Sequence, residues 1–341
     1  MRIALVGTGS LGTIIGALLT RAGEDIVLVD ADRDHVTALN EKGATVTGHM
    51  ELTVPVKAIT PDAMDGFYDL AIYLVKSIYD DDALPGLLPH LSDDSGVLTL
   101  QNGIPEEKVA SIVGRARTMG GAVGWAGILR GPGVSELASQ PEVMTYDIGE
   151  LNGERSEHIE AAKAVLNNAG KAEITANLTG VRWSKLLVNA SLSGMSTVLG
   201  SNGGQILDDE RALRAAVSIM VETLKTAAAL GVKMEPMQGA DPNLLIEIIR
   251  QSEEGALALM KVIGQPHREG KASMLQDLEK GRRCEVEAIN GYLSRKAKET
   301  GVLVPVNDKV TEMIRDIQDG RLKPNFANLE AIELRPLQDI I

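Results

Sequence analysis

The chain has 341 residues, enough for two ordinary domains with a core each. At 44% hydrophobic, 24% charged and only 3% aromatic, its interior must rest on aliphatic side chains and methionine. A formal charge of −13 argues against a general affinity for nucleic acid or anionic membranes, which reward basic patches; an anionic ligand would need locally placed donors.

Cys284 is the single cysteine, so no intrachain disulfide can form, which fits a reducing compartment. The opening "MRIALVGTGSLG" is apolar only briefly and lacks the long apolar region of a signal peptide. No stretch offers the ~18 apolar residues of a membrane span. The expectation is a soluble cytoplasmic protein.

Along the first half, "RIALVG", "DIVLVD", "DLAIYLV" and "GVLTLQ" are short Val/Ile/Leu-rich runs, with helical patterns such as "LGTIIGALLTRAG" between some of them. Continuous apolar runs alternating with helices indicate a parallel sheet covered on both faces. "TMGGAVGWAG", "EVMTYDIGE" and "AEITA" are candidates for further strands at one edge. Past "AEITANLTGVRW" the period-two pattern disappears. Long helical patterns follow at roughly 180–200, 208–231, 241–263, 273–299 and 305–318, with Pro242 and Pro305 as start signals. The tail "GRLKPNFANLEAIELRPLQDII" would pack on the body or on another subunit.

Gly7, Gly9 and Gly12 have the G-x-G-x-x-G spacing, between a strand and a helix and ahead of a second strand. That context turns a weak pattern into a dinucleotide-binding signal: one glycine for the tight turn, one for backbone approach to a pyrophosphate, one for helix–sheet packing. Thr8, Ser10 and Leu11 complete the loop, whose helix amides would face the phosphates. The alternative is a glycine turn with no ligand. The expected fold is therefore α/β: a Rossmann-like doubly wound sheet over 1–177, then an all-helical domain with a C-terminal tail over 178–341.

Asp30 ends the second strand, where an acidic residue would bind adenosine ribose hydroxyls. A 2′-phosphate 4 Å from it would meet a repulsion of roughly 4 kcal/mol at an effective dielectric near 20. Arg33 stands close enough in sequence to offset part of that, so NADH is favoured over NADPH only moderately. Alternatively, Asp30 caps the following helix. Lys76 and Asn102 end two further strand-like runs, where ligands sit in open α/β sheets. Lys76 would supply positive charge to a dinucleotide. Asn102 would donate and accept hydrogen bonds. Taken alone, each is more often a surface lysine or a turn asparagine.

In "RWSKLLVNASLSGMSTVLG", Lys185 and Asn189 lie four apart on one face of an otherwise apolar helix. The set "GTGSLG", "VKS", "QNG", "RWSKLLVN" and "SMLQDLEKGRRCEVEAINGYL" resembles, in order and through to about residue 318, the ketopantoate reductase (2-dehydropantoate 2-reductase) family. The resemblance implies a Rossmann domain paired with a helical domain. It also implies reduction of an α-keto acid, 2-dehydropantoate to (R)-pantoate on the way to pantothenate and coenzyme A, normally with NADPH. It assigns Lys185 as general acid, Glu285 as the matching glutamate that contacts substrate, and Ser273 as a serine near the substrate carboxylate. Asn189, one turn on from Lys185, would bind the substrate or orient the lysine, and Asn102 is a candidate for both cofactor and substrate binding. Glu285 as a catalytic partner would keep the ammonium charged or accept a hydrogen bond from a substrate hydroxyl. An ammonium at a developing alkoxide stabilises it and then supplies the proton, and partial burial makes a lysine a better acid near neutrality. As bare residues, Lys185 would snorkel, Glu285 would be a surface charge and Ser273 a helix cap. Glu287, on another face of the expected helix, reads as solvated.

Three departures stand out. Ser193 replaces the family's second asparagine, Asp30 stands where NADPH-using members have basic or neutral residues, and the tail beyond about 320 is longer than usual. A related 2-keto acid reductase with a reshaped pocket is one alternative, and a non-catalytic dinucleotide-binding sensor another. His35, His49, His90, His158 and His267 are scattered without metal-ligand spacing, His267 being a loop histidine with some reach toward the substrate motif. The acidic run at 80–82 reads as a solvated helix start, and a homodimer is plausible from the helix-rich second half.

Overall fold

The computed structural model describes residues 1–237, 239–265 and 268–341; His267 lies outside the described residues. The chain divides into two compact units. Met1–Gln101 with Pro105–Leu178 form one, and Asn102–Ile104 with Thr179–Ile341 form the other.

The first unit is built on β1 (Arg2–Val6), α1 (Ser10–Arg21), β2 (Asp25–Val29), α2 (Arg33–Lys42), β3 (Ala44–Gly48), β4 (Leu52–Val54), β5 (Ala58–Ile59), β6 (Leu70–Tyr73), α3 (Asp80–Leu87), β7 (Gly96–Thr99), α4 (Glu106–Val113), β8 (Thr118–Val123), β9 (Gly127–Gly131), β10 (Val134–Leu137), β11 (Thr145–Glu150), α5 (Glu157–Leu166) and β12 (Lys171–Ile174). The main sheet runs β12-β11-β8-β7-β6-β1-β2-β5. Its pairs from β5 to β8 are parallel, β11 is antiparallel to β8, and β12 is parallel to β11. Apolar side chains bury on both faces in two separate clusters, as the unbroken Val/Ile/Leu runs require. The three expected edge strands are β8, β11 and β12, which extend the sheet from β7 to one edge. A second sheet, β4-β3-β10-β9, packs on α1. Sequence reading missed it, because its strands are short and β3 pairs with β10 across a gap of nearly ninety residues.

Chain order reverses between β1 and β6: β1, β2 and β5 run one way across the sheet, β6, β7 and β8 the other. Ligands bind at such a switch point, beyond the carboxyl ends of the strands. The glycine loop follows β1 and Lys76 follows β6, so both lie there.

The second unit is helical: α6 (Leu178–Val188), α7 (Gly194–Leu199), α8 (Gly203–Asp208), α9 (Glu210–Ala229), α10 (Leu245–Gln251), α11 (Glu253–Ile263), α12 (Ser273–Glu279), α13 (Asn290–Thr300) and α14 (Pro305–Gln318). α9 buries fourteen of its twenty residues, including Glu222 and two threonines, so the other helices pack around it. Two expected helices are broken. The pattern at 241–263 divides at Ser252, whose extended backbone and side chain cap α11. The pattern at 273–299 stops near Gly281, with φ of +68°, and resumes only at Asn290. The tail packs on its own unit: Leu329, Ile332 and Leu337 are buried, and Asn325 and Asn328 donate to the Val198 carbonyl at the end of α7. No helix among the described residues is long and apolar enough to cross a membrane.

Candidate functional site

In the first unit the site grows from the glycine loop. Gly7 has φ of +91°, and a Cβ there would lie 2.6 Å from the Val75 nitrogen, so the loop turns directly against the strand that leads to Lys76. A Cβ on Gly12 would lie 2.4 Å from the Gly7 carbonyl oxygen. Gly9 is different: nothing lies within 4 Å of its missing Cβ. It forms the N-cap of α1 with no side-chain cap, so the first-turn amides, those of Ser10 and Leu11 among them, have no side-chain acceptor. An open glycine at an uncapped helix N-terminus fits a pyrophosphate.

Thr8 is fully buried, and its polar atoms work inside the loop. Its N–H and hydroxyl donate to Asp30 Oδ2 at 2.7 and 3.0 Å. Its carbonyl accepts from Thr13 Oγ1 and from His35 Nε2, both at 2.7 Å. His35 Nδ1 accepts the Gly133 N–H at 3.1 Å, which leaves the ring proton on Nε2, facing Thr8. Sequence reading did not find this role for His35, since nothing local connects it to Gly133. The capping alternative for Asp30 is also resolved. Asp32 caps α2, while Asp30 Oδ1 accepts the Asp32 N–H. Arg33 pairs with Asp62 at 3.5 Å on the surface.

Lys76 lies three residues beyond β6, half-buried. The preceding carbonyl, of Val75, accepts from Gln101 Nε2 at 2.7 Å. Gln101 also donates to Asp80 Oδ1, which takes the Tyr73 hydroxyl at 2.9 Å. Desolvation and the Asp80 carboxylate push the Tyr73 phenol up, which keeps it a donor. Asp80 thus corrects the reading of 80–82 as a solvated run: the first turn of α3 points it inward while Asp81 and Asp82 stay outside.

The second unit holds the remaining candidates. α6 runs into a π turn at Asn189–Ser193 and then into α7. Lys185, Asn189 and Ser193 are half-buried on one side of this rod, while Arg182, Trp183, Ser184, Leu186, Leu187, Ala190 and Ser191 are buried. Ser184 fastens α6 by donating to the Glu235 carbonyl at 2.6 Å. The Lys185 amine falls from 10.5 to about 7, first because surrounding protein desolvates it and then because the Arg182 guanidinium repels its charge; the Glu285 carboxylate opposes both.

Glu285 is 3% exposed, which corrects its bare reading as a surface charge, and it lies in the non-helical turn that follows α12. Glu287 therefore does not sit on another face of a shared helix. It is exposed and pairs with Arg315 and Arg295. Asn102 is half-buried and belongs to this unit. A Cβ on the adjoining Gly103 would lie 2.4 Å from the Ala288 carbonyl oxygen, so segment 102–104 lies against the turn that carries Glu285. Ser273 is exposed and is the first residue of α12; Ala272 holds the cap position, so Ser273 is not the cap.

A parallel sheet with an open glycine loop at its switch point defines a dinucleotide-binding protein of the doubly wound class. The family model described as ketopantoate reductase PanE/ApbA matches residues 3–153, and its C-terminal counterpart matches residues 177–318. A 2-dehydropantoate 2-reductase of Pyrococcus horikoshii is 34% identical over 313 residues, covering 90% of this chain and 94% of its own. Among solved structures, 2-dehydropantoate 2-reductase from Geobacter metallireducens superposes with a TM-score of 0.80 at 26% identity, over 93% of this chain and 99% of its own. D-mandelate dehydrogenase with NADH and anilino(oxo)acetate has a TM-score of 0.81 at 24% identity, over 94% and 99%, and shares the fold. The chain belongs to the ketopantoate reductase family, whose members are NAD(P)H-dependent oxidoreductases.

Proposed function

We propose that this protein reduces 2-dehydropantoate to pantoate with a reduced nicotinamide dinucleotide, using Lys185 as the general acid. The observation that carries the reading is the Lys185 amine, lowered to about 7 on a face it shares with Asn189 and Ser193. When bound, the reduced nicotinamide supplies a hydride to the carbonyl carbon. Gly9 and the first amides of α1 would hold the pyrophosphate, and Lys76 adds positive charge beside them. In the second unit, the Lys185 ammonium stabilises the negative charge that grows on the carbonyl oxygen, then gives it a proton. Glu285 keeps that amine more basic than burial and Arg182 alone would leave it. Asn102, Asn189, Ser193 and the exposed Ser273 offer neutral hydrogen bonds to the substrate's hydroxyl and carboxylate.

NADH is the preferred form in this reading. The Asp30 carboxylate directly follows β2, and the nearest basic residue in sequence, Arg33, is engaged by Asp62. A homodimer in the cytoplasm completes the proposal; apolar Leu259, Val262 and Ile263 on the exposed side of α11 support association. Sedimentation equilibrium would test it, a monomer at micromolar concentration counting against it.

Steady-state assays over a panel of 2-keto acids, each with NADH and NADPH, test the whole. The expected result is the highest kcat/KM with 2-dehydropantoate and NADH. A tenfold preference for another keto acid would favour the second reading, a reductase whose pocket is reshaped by Ser193. A strong preference for NADPH would overturn the role given to Asp30.

A further inference from the structure

We infer that Asn290 is a positioning residue, which holds the π turn that brings Ser193 into line with Lys185 and Asn189. The inference rests on the substrate-site reading above. Through α6 each residue turns the helix by about 100°, so Asn189 falls about 40° beyond Lys185. In an unbroken α-helix, Ser193 would fall about 80° beyond it and drift off the face. A π turn holds one residue more than an α turn. Within it, the four steps from Asn189 to Ser193 no longer complete a circle, so Ser193 swings back toward Lys185. The exposure pattern agrees: 181, 185, 188, 189, 192 and 193 are half-buried, and everything else from 182 to 199 is buried.

The hydrogen bonds show what holds the turn. The Gly194 N–H would reach the Ala190 carbonyl in an α-helix, but it bonds to the Asn189 carbonyl, five residues back. The Ala190 carbonyl instead accepts Nδ2 of Asn290 at 2.9 Å, from the start of α13. The second Nδ2 proton goes to Asn307 Oδ1, also at 2.9 Å, while Asn290 Oδ1 accepts nothing among the described residues. The amide is thus present for its donors. Asn307 returns a bond to the Asn290 carbonyl, and its own N–H is held by Glu222 Oε2 at 2.8 Å. Gly194 makes room, since a Cβ there would lie 3.0 Å from Asn290 Nδ2. Asn290 itself is fully buried and offers nothing to a ligand.

Asn290→Ala separates positioning from simple support when it is compared with Asn307→Ala, which leaves the bond to Ala190 intact. Thermal melts, NADH titration, and kcat and KM for the keto acid are measured for both, with Lys185→Ala alongside. The expectation is that both asparagine variants lose similar stability and keep their NADH affinity. Only Asn290→Ala should raise the keto acid KM, by about 10- to 100-fold, as misplacement of a binding group does. An unchanged KM in Asn290→Ala, or an equal rise in Asn307→Ala, overturns the inference. Should Asn290→Ala not fold, Asn290→Ser is judged by the same criteria. If Lys185→Ala leaves turnover unchanged, the underlying site assignment falls; if Lys185→Ala is inactive but Asn290→Ala has a normal KM, only the positioning role falls.

Discussion

Moving the charges around Lys185 should move the pH dependence of the reaction in opposite directions. With Lys185 as the proposed general acid, reduction would require its ammonium form, and the amine is displaced from 10.5 to about 7. For the wild type, kcat/KM should be level below about pH 6 and fall roughly tenfold per pH unit above about 7, reaching about 100-fold by pH 9. An undisplaced lysine would leave the profile flat over this range. Glu285→Gln removes the neighbour that raises the amine, so its falling limb should move to lower pH. Arg182→Leu removes a cation that lowers it, so that limb should move to higher pH. Lys185→Ala should cost about 10²–10⁴ in turnover and abolish the limb. The assay is keto-acid-dependent loss of NADH from pH 5.5 to 9.5, reading the position of the limb and not its height. A flat wild-type profile to pH 9, or shifts of the same sign in the two charge variants, would refute the reasoning. The same displacement sets a stability sign. The folded chain holds this proton less tightly than the unfolded chain. Lys185 therefore costs stability in full below about pH 7, and the cost fades as pH rises toward 10.5. It amounts to about 5 kcal/mol at most, less whatever the exposed part of the side chain recovers from solvent. Lys185→Met should accordingly melt at a higher temperature than wild type at pH 6 while being inactive.

Two glycines of one motif should behave differently. Gly9→Ala meets open space, so it should keep its melting temperature and lose NADH affinity in a fluorescence titration. Gly7→Ala forces a positive φ and a 2.6 Å backbone contact, so it should lose about 1–3 kcal/mol or more of stability in a urea melt. Glu222 is pushed up to about 7 by desolvation, against the pull of the Val306 and Asn307 N–H groups. It holds its proton more tightly folded than unfolded, so its contribution declines as pH rises from about 4.5 to about 7. Glu222→Gln should flatten that slope in melts between pH 4.5 and 8, and an unchanged slope would exclude Glu222 as its source.

The elements that position the dinucleotide loop were legible because they are local. β1, the glycines and α1 occupy twenty consecutive residues, and each carries a pattern with one physical meaning. Asp30 was legible as an acid at a strand end, but its attachment to Thr8 was not, since the partner is 22 residues away. Asp80 was hidden in a run of three like residues, and only the direction of a helix turn separates the buried one from its exposed neighbours. Glu285 was found in the motif but placed on a helix. Gly281 ends α12 before it, and the turn to Asn290 decides where the carboxylate sits.

By itself, the sequence determined the alternation of buried strands and helices, the phosphate-ready turn, and the presence of one amine on an apolar helix, because hydrophobic period and backbone freedom are properties of neighbouring residues. Tertiary structure alone decided the second sheet, the tautomer of His35, the acidity of Lys185 and the π turn behind Asn189. Each depends on what distant parts of the chain bring: Gly133 for His35, Asn290 for Ala190, and for Lys185 the surrounding protein that desolvates it, against the opposing pull of Glu285. Desolvation and hydrogen bonding act through space, and a linear pattern carries no record of which distant side chain will fill it.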